Sequence, residues 1–196
     1  MELYINGEQI DAALENERTV GDVLKSFELT CEENDAAVIG IHVDGRKVTA
    51  EEFDEEAAKP LSPHTKFEFD VITKQAVRDS FKKCAELFRE LEAQMEQIPV
   101  NLQSGKDKSV HLTITALADK IDEFCHIAAL ASLFDDYTAA TIDGKPFADF
   151  FAEFTPVLAD FEQALKANDT VSVGDLAEYE ICPRLNAIAS TLEGIA

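Results

Sequence analysis

Cations are scarce in this 196-residue chain: 17 Lys and Arg stand against 39 Asp and Glu, for a formal net charge of −22. Neutralising phosphates needs clustered cations, so the balance argues against a nucleic-acid surface and against docking on anionic membranes. Long apolar runs are missing too. The longest uncharged, mostly apolar stretch, Phe124–Phe134, is eleven residues, about half of what a bilayer span requires. Glu2, Glu8 and Asp11 stand where a signal peptide would be basic and then apolar. These absences predict a soluble, cytoplasmic protein. Paired cysteines are absent as well: Cys31, Cys84, Cys125 and Cys182 are far apart and form no Cys-x-x-Cys. Each falls in or beside an apolar stripe, where a free thiol behaves as a small buried hydrophobe. Nor is there a Gly-x-x-x-x-Gly-Lys phosphate loop, a Gly-x-Gly-x-x-Gly fingerprint or a Gly-x-Ser-x-Gly elbow.

What is present suffices for a packed fold. Hydrophobic residues make up 46% of the chain and charged ones 29%, which allows one large domain or two small ones. The apolar period changes near residue 74, and this divides the chain. Before it, Leu3 and Ile5 alternate with polar neighbours, Asn6-Gly7 supplies a tight hairpin turn, and a return strand is expected over Glu8–Ala13. Thr19 reads as a helix N-cap with Asp22 three residues on, and Val20, Val23, Leu24 and Phe27 form one helical face. A second hairpin follows, with Ile39, Ile41 and Val43 on one face, Asp44-Gly45 at the turn and Arg46–Thr49 returning. Glu51–Glu56 reads as a short, solvated helical turn anchored by Phe53; it lacks the alternating oxygens and central glycine of a calcium loop. Phe67, Phe69 and Val71 then make a half-buried strand.

The set Leu3-Tyr4-Ile5-Asn6-Gly7, Thr19-Val20-Gly21-Asp22-Val23-Leu24, Val43-Asp44-Gly45-Arg46-Lys47-Val48 and Phe67-Glu68-Phe69-Asp70-Val71 resembles the ubiquitin-like β-grasp fold. It is most similar to the small sulfur carriers of thiamine and molybdopterin biosynthesis. That resemblance covers residues 1–73 and implies their fold. The carriers' activity also needs a free, flexible terminal Gly-Gly whose carboxylate is activated. Here Ile72-Thr73 continues into Lys74-Gln75-Ala76, and the sequence closes on Glu193-Gly194-Ile195-Ala196, so the fold is carried over and the activity is not.

From residue 75 the pattern becomes helical. Val77, Phe81, Cys84, Phe88, Leu91, Met95 and Ile98 recur at 4-3-4-3-4-3, predicting a helix of about 24 residues that ends at Pro99, with a polar loop over Asn101–Ser109. Val110, Ile114, Leu117, Ile121, Phe124, Ala128 and Ala131 repeat the rhythm, and Cys125–Phe134 is apolar all round, which implies burial on several sides. A third stripe runs Phe147, Phe151, Phe154, Leu158, Phe161 and Leu165, with a kink or break expected at Pro156 and Thr155 placed to cap a restarted helix. A fourth helix, from about Ser172, carries Ile181, Leu185, Ile188, Leu192 and Ile195. Val173 and Leu176 lie out of phase with that stripe, so a second kink is expected at Pro183. The fold expected is α+β: a β-grasp domain over residues 1–73 and an antiparallel four-helix bundle over 74–196.

Glu123-x-x-His126 has the spacing of a di-iron half-site, but His42, His64 and His111 lack the matching acid. No catalytic, cofactor or metal site is expected. Consecutive helix residues cannot share one narrow seam, so Phe150, Phe151 and Phe154 form either a wide core stripe or an exposed aromatic docking surface for a partner. Asp175, Glu178 and Tyr179, just before Pro183, suggest a patch for a basic partner. The reading is a non-catalytic adaptor or chaperone-like protein whose partner is another protein. The alternatives are an enzyme-associated carrier-like subunit and a self-associating bundle, since heptad stripes also support homo-oligomers.

Overall fold

The computed structural model describes residues 1–11, 16–105 and 107–196, with Asp107 as backbone only. It is a mixed α+β chain that forms two compact units, Met1–Ala76 and Val77–Ala196.

In the first unit, strands β1 (Glu2–Ile5) and β2 (Glu8–Ile10) close over Asn6 and Gly7, whose φ angles are 49° and 84°. Helix α1 (Val20–Glu33) opens with a full capping box. Thr19 Oγ1 accepts from the Asp22 N–H at 3.1 Å, and Asp22 Oδ2 accepts from the Thr19 N–H at 2.9 Å. Strands β3 (Ala36–Val43) and β4 (Arg46–Lys47) turn over Asp44 and Gly45, followed by helix α2 (Phe53–Ala57) and strand β5 (Lys66–Thr73). The sheet order is β2-β1-β5-β3-β4, with β1 parallel to β5 and the other pairs antiparallel. Its core is Leu3, Val20, Val23, Leu24, Val43, Phe67 and Phe69, with the Phe27 ring stacked 3.9 Å from that of Phe69.

Three local expectations change here. Strand β2 ends at Ile10, and Ala12 and Ala13 of the expected return strand lie outside the described residues. The ladder between β3 and β5 shifts register between Val38 and Gly40, so Ile39 falls on a bulge and is 47% exposed, while Val38 packs on the core instead. Phe53 is not the anchor of α2. It is exposed, and α2 approaches α1 through Ala57, so closely that a Cβ on Gly21 would sit 3.0 Å from the Ala57 Cβ and its carbonyl oxygen.

Strand β5 passes without a loop into helix α3 (Lys74–Glu96), and the Thr73 hydroxyl accepts from the Ala76 N–H at 3.1 Å to start it. The second unit continues with α4 (Ile98–Gln103), α5 (Asp107–Ala131), α6 (Asp135–Thr138) and the hairpin β6 (Thr141–Ile142) and β7 (Lys145–Pro146). Helices α7 (Phe147–Lys166) and α8 (Thr170–Asp175), a π-helical segment (Leu176–Ile181) and α9 (Cys182–Ile195) complete it. Every residue of the stripe Val77, Phe81, Cys84, Phe88, Leu91, Met95 and Ile98 is buried. Phe124 of α5 is the aromatic hub, its ring 6.0 Å from Phe88, 5.4 Å from Phe147 and 5.3 Å from Phe151. Between α3 and α9, the Arg89 guanidinium donates to Glu193 and to the Ser190 hydroxyl, and the Asn186 amide donates to Glu92.

The helices outnumber the four expected. Pro99 sits in the first turn of α4, where its missing N–H costs nothing, so a short helix stands where the polar loop from Asn101 was expected. The stretch Cys125–Phe134 is not wrapped on all sides: Cys125, Ala129 and Leu133 face solvent, because only the stripe through Phe124 and Ala131 meets the core. Pro156 does not break α7, and Thr155 does not cap a second helix. Its hydroxyl donates back to the Phe151 carbonyl at 2.8 Å. Among the described residues no helix is long and apolar enough to cross a membrane.

Candidate functional site

The joint between α7 and α8 builds a concavity lined by two of the expected residues, Asp175 and Tyr179. Helix α7 ends in a left-handed turn at Asn168, φ 54°. The Asn168 N–H donates to the Leu165 carbonyl and the Asp169 N–H to the Ala164 carbonyl, both at 3.0 Å. This is the double bond pattern that closes a helix through a left-handed residue, which Asn tolerates better than most. The next residue, Asp169, caps α8: its carboxylate accepts from the Ser172 N–H at 3.1 Å and from the Ser172 hydroxyl at 2.6 Å. Those bonds hold its carboxyl below the usual carboxylate range, the Ser172 hydroxyl contributing most. Only two residues, Ala167 and Asn168, therefore separate the end of α7 from the cap of α8, and the chain folds sharply back.

Between the two helices and the π-helical segment lies an open groove of about 640 Å³. Asp160, Asp169, Asp175 and Glu180 line it with carboxylates, and no Lys or Arg is in its wall. Ala164, Ala167 and Leu176 supply an apolar floor, and Tyr179 stands at the margin, 65% exposed. A hydrogen bond to Glu178 raises the Tyr179 phenol above its ordinary pKa, and the carboxylates of Glu178 and Asp175 add to the effect. Arg184 holds Glu180, donating to its carboxylate at 2.6 Å and to its backbone carbonyl at 2.7 Å.

The π-helical segment accounts for the phase slip read from the sequence. Val173, Ala177, Ile181 and Leu185 are all buried, four residues apart each time, before Ile188 and Leu192 resume the helical rhythm. A wider turn lets a step of four residues keep to one face, whereas 3.6 residues per turn would drift off it. It ends two residues before Pro183, which has no N–H to donate into the preceding turn. Single π turns inside α-helices occur frequently at functional sites.

Of the six residues singled out from the sequence, Asp175 and Tyr179 line this groove, and Glu178 is exposed beside them. The phenylalanines do not join them. Phe150 and Phe154 are buried and Phe151 is half-buried, with rings 5.5 Å (Phe150–Phe151) and 6.2 Å (Phe150–Phe154) apart. Of the two readings, core stripe and exposed docking surface, these residues take the first, because α7 is packed across a wide arc on the Phe124 ring and under the Arg184 guanidinium. Asp160, Gln163 and Asp169 were not anticipated; Asn168-Asp169, a left-handed turn residue followed by a cap, was the available signal. Glu123 pairs with Lys120 at 2.5 Å, which lowers its pKa, and His126 is exposed. Among the described residues no three His, Cys, Asp or Glu side chains gather as metal ligands would. Cys125 is exposed, contrary to the expectation of burial, while Cys31, Cys84 and Cys182 are buried.

Residues 79–191 match a family model described as "Domain of unknown function (DUF8042)", and residues 1–73 match one described as "TP0873 N-terminal domain". An "Uncharacterized protein" of Treponema pallidum (strain Nichols) is 27% identical over 183 residues, covering 93% of this chain and 92% of its own length. No solved structure matches.

Proposed function

We propose that this chain, which belongs to the family of the domain of unknown function DUF8042, is a non-catalytic adaptor or chaperone-like protein that holds a cationic segment of another protein in the α7–α8 groove. The observation that carries the reading is the lining itself: four carboxylates around an apolar floor, of which Glu180 alone is paired with a cation, Arg184, and an exposed tyrosine at the margin, with no Lys or Arg among the described lining residues. A lysine- or arginine-rich amphipathic helix fits that chemistry. Its apolar side would rest on Ala164 and Leu176, its cations would face Asp160 and Asp175, and one could lie on the Tyr179 ring. Charge of this sign over the whole chain would speed the encounter with such a partner.

The proposal extends to the fold names. The central parallel pair β1–β5, the flanking antiparallel strands and helix α1 between the hairpins support reading the first unit as a ubiquitin-like β-grasp. The ring, ion-pair and hydrogen-bond contacts among α3, α5, α7 and α9 support reading the second as an elaborated four-helix bundle.

The test is calorimetric titration of the full chain with a helical peptide of lysine and leucine. The pair Asp160→Asn and Asp175→Asn should weaken binding about tenfold or more, as loss of close charge partners does. The pair Asp119→Asn and Asp122→Asn, an equal charge change at exposed positions of α5, should leave it unaltered. Equal weakening by both pairs would mean the peptide feels only the net charge, and the groove reading would fail.

A further inference from the structure

A second, independent feature lies on the sheet of the first unit. Strand β4 pairs with β3 only at His42 and Val43, with one further bond from the Val48 N–H to the Ile41 carbonyl. Beyond Val48 the chain turns away into α2, the Glu52 N–H donating to the Thr49 carbonyl. Among the described residues no strand pairs along the first half of β3 on this side.

Which backbone groups face that lane follows from the ladder on the other side. The Val71 N–H and C=O are engaged by the Asn6 side chain, so Val71 is turned away from β3 and its partner Val38 points its own groups outward. The Lys74 N–H donates to the Asp35 carbonyl, which makes the adjoining Ala36–Thr73 pair non-bonded and turns Ala36 outward as well. Among the described residues the outward groups of Ala36 and Val38 have no hydrogen-bond partner. Protein edges are ordinarily shortened, charged or covered. This one is apolar. Alongside it is a slot of about 290 Å³, lined by Leu24 and Glu28 of α1, Ile39 and Ile41 of β3, and Val48 and Phe53. Ile39 and Phe53 are two of the exposed large hydrophobic side chains of the molecule.

We propose that the open β3 edge and its slot accept an extended segment of a partner protein, alternating apolar and basic residues, as an added strand. The backbone groups of Ala36 and Val38 supply main-chain pairing, and the slot takes one apolar side chain, the division of labour by which added strands bind. Charge selects the occupant. The slot wall holds one acid and one cation, Glu28 and Lys47, and the negative surplus comes from Glu51, Glu52 and Asp54, exposed residues beside Phe53 in the sequence. A second copy of this chain, itself at −22, is disfavoured by repulsion, whereas lysine or arginine between the apolar positions is matched.

The probe is an end-blocked heptapeptide of alternating lysine and valine, titrated into the isotopically labelled full chain. Saturable binding with amide shifts centred on residues 36–41 and 47–49 is expected. An added strand pairs along one edge, so methylating the backbone nitrogens of the valines and of the lysines in two separate peptides should give unequal losses. One set should lose about tenfold or more, and the other far less. Ile39→Lys should weaken binding while leaving the thermal midpoint unchanged, and Tyr179→Ser should have no effect, which separates this site from the groove. Equal binding by both methylated peptides, equal loss by both, or a footprint away from β3 would each overturn the proposal.

Discussion

Cys84 and Cys182 have their thiols pushed up to about 11, chiefly by burial and further by nearby glutamates. Cys31 and Cys125 are also shifted upward for the same first reason, but Cys31 is buried whereas Cys125 is exposed on α5 and so within reach of reagent. Alkylation of the folded chain at neutral pH should therefore label Cys125 first, with the other three reacting only on unfolding, as mass spectrometry of peptides would read. Simultaneous labelling of all four would contradict the burial. Two aromatic residues offer a sharper contrast. Phe124 contacts three other rings and is fully buried, so Phe124→Ala should cost about 3–5 kcal/mol in denaturant unfolding. The Tyr137 hydroxyl is buried with no hydrogen-bond partner among the described residues. Tyr137→Phe should be neutral or stabilising by up to about 1 kcal/mol, since an unsatisfied polar group is removed without a cavity. A clear loss of stability would mean that the hydroxyl is satisfied.

At the scale of elements, the caps set a pH dependence. Asp22 accepts from the Arg18 and Thr19 N–H groups, Asp169 from Ser172, and Glu193 from Arg89, and each is held below its ordinary pKa. Lowered folded-state values mean that the unfolded chain binds more protons as the pH falls. The stabilisation is thus complete above the ordinary carboxylate range and is lost as the pH drops through the folded-state values. Urea midpoints measured from neutral pH downward should fall in that window, and Asp169→Asn should flatten its share of the slope; an unchanged slope would refute the cap. Legibility varied with the element. The hairpin turns at Asn6-Gly7 and Asp44-Gly45, the Thr19 cap and the α3 stripe could all be read, because each depends on local stereochemistry or a single period. The π-helical segment showed only as a phase slip at Val173 and Leu176, since a sequence records that a period breaks and not how the backbone absorbs it. The bulge at Ile39 and the course of α7 through Pro156 were not legible, because both are decided by partners distant in sequence.

For the whole molecule, the acidic residues Asp175, Glu178 and Tyr179's neighbours were readable as a patch, but the groove was not. Asp160 and Gln163 reach it from α7 only because Asn168 reverses the chain. The phenylalanine cluster misled for the complementary reason. Consecutive aromatics imply a wide apolar arc, and whether that arc meets solvent or another helix is settled by packing across α5 and α9. The central claim is that the groove, and not the general acidity of the chain, receives a cationic segment. It is tested most directly by a backbone chemical-shift footprint of the lysine–leucine helical peptide on the full chain. The account predicts perturbations concentrated on residues 160–180 and saturating together. Shifts spread evenly over the acidic surfaces of both units, without a common saturation point, would contradict it.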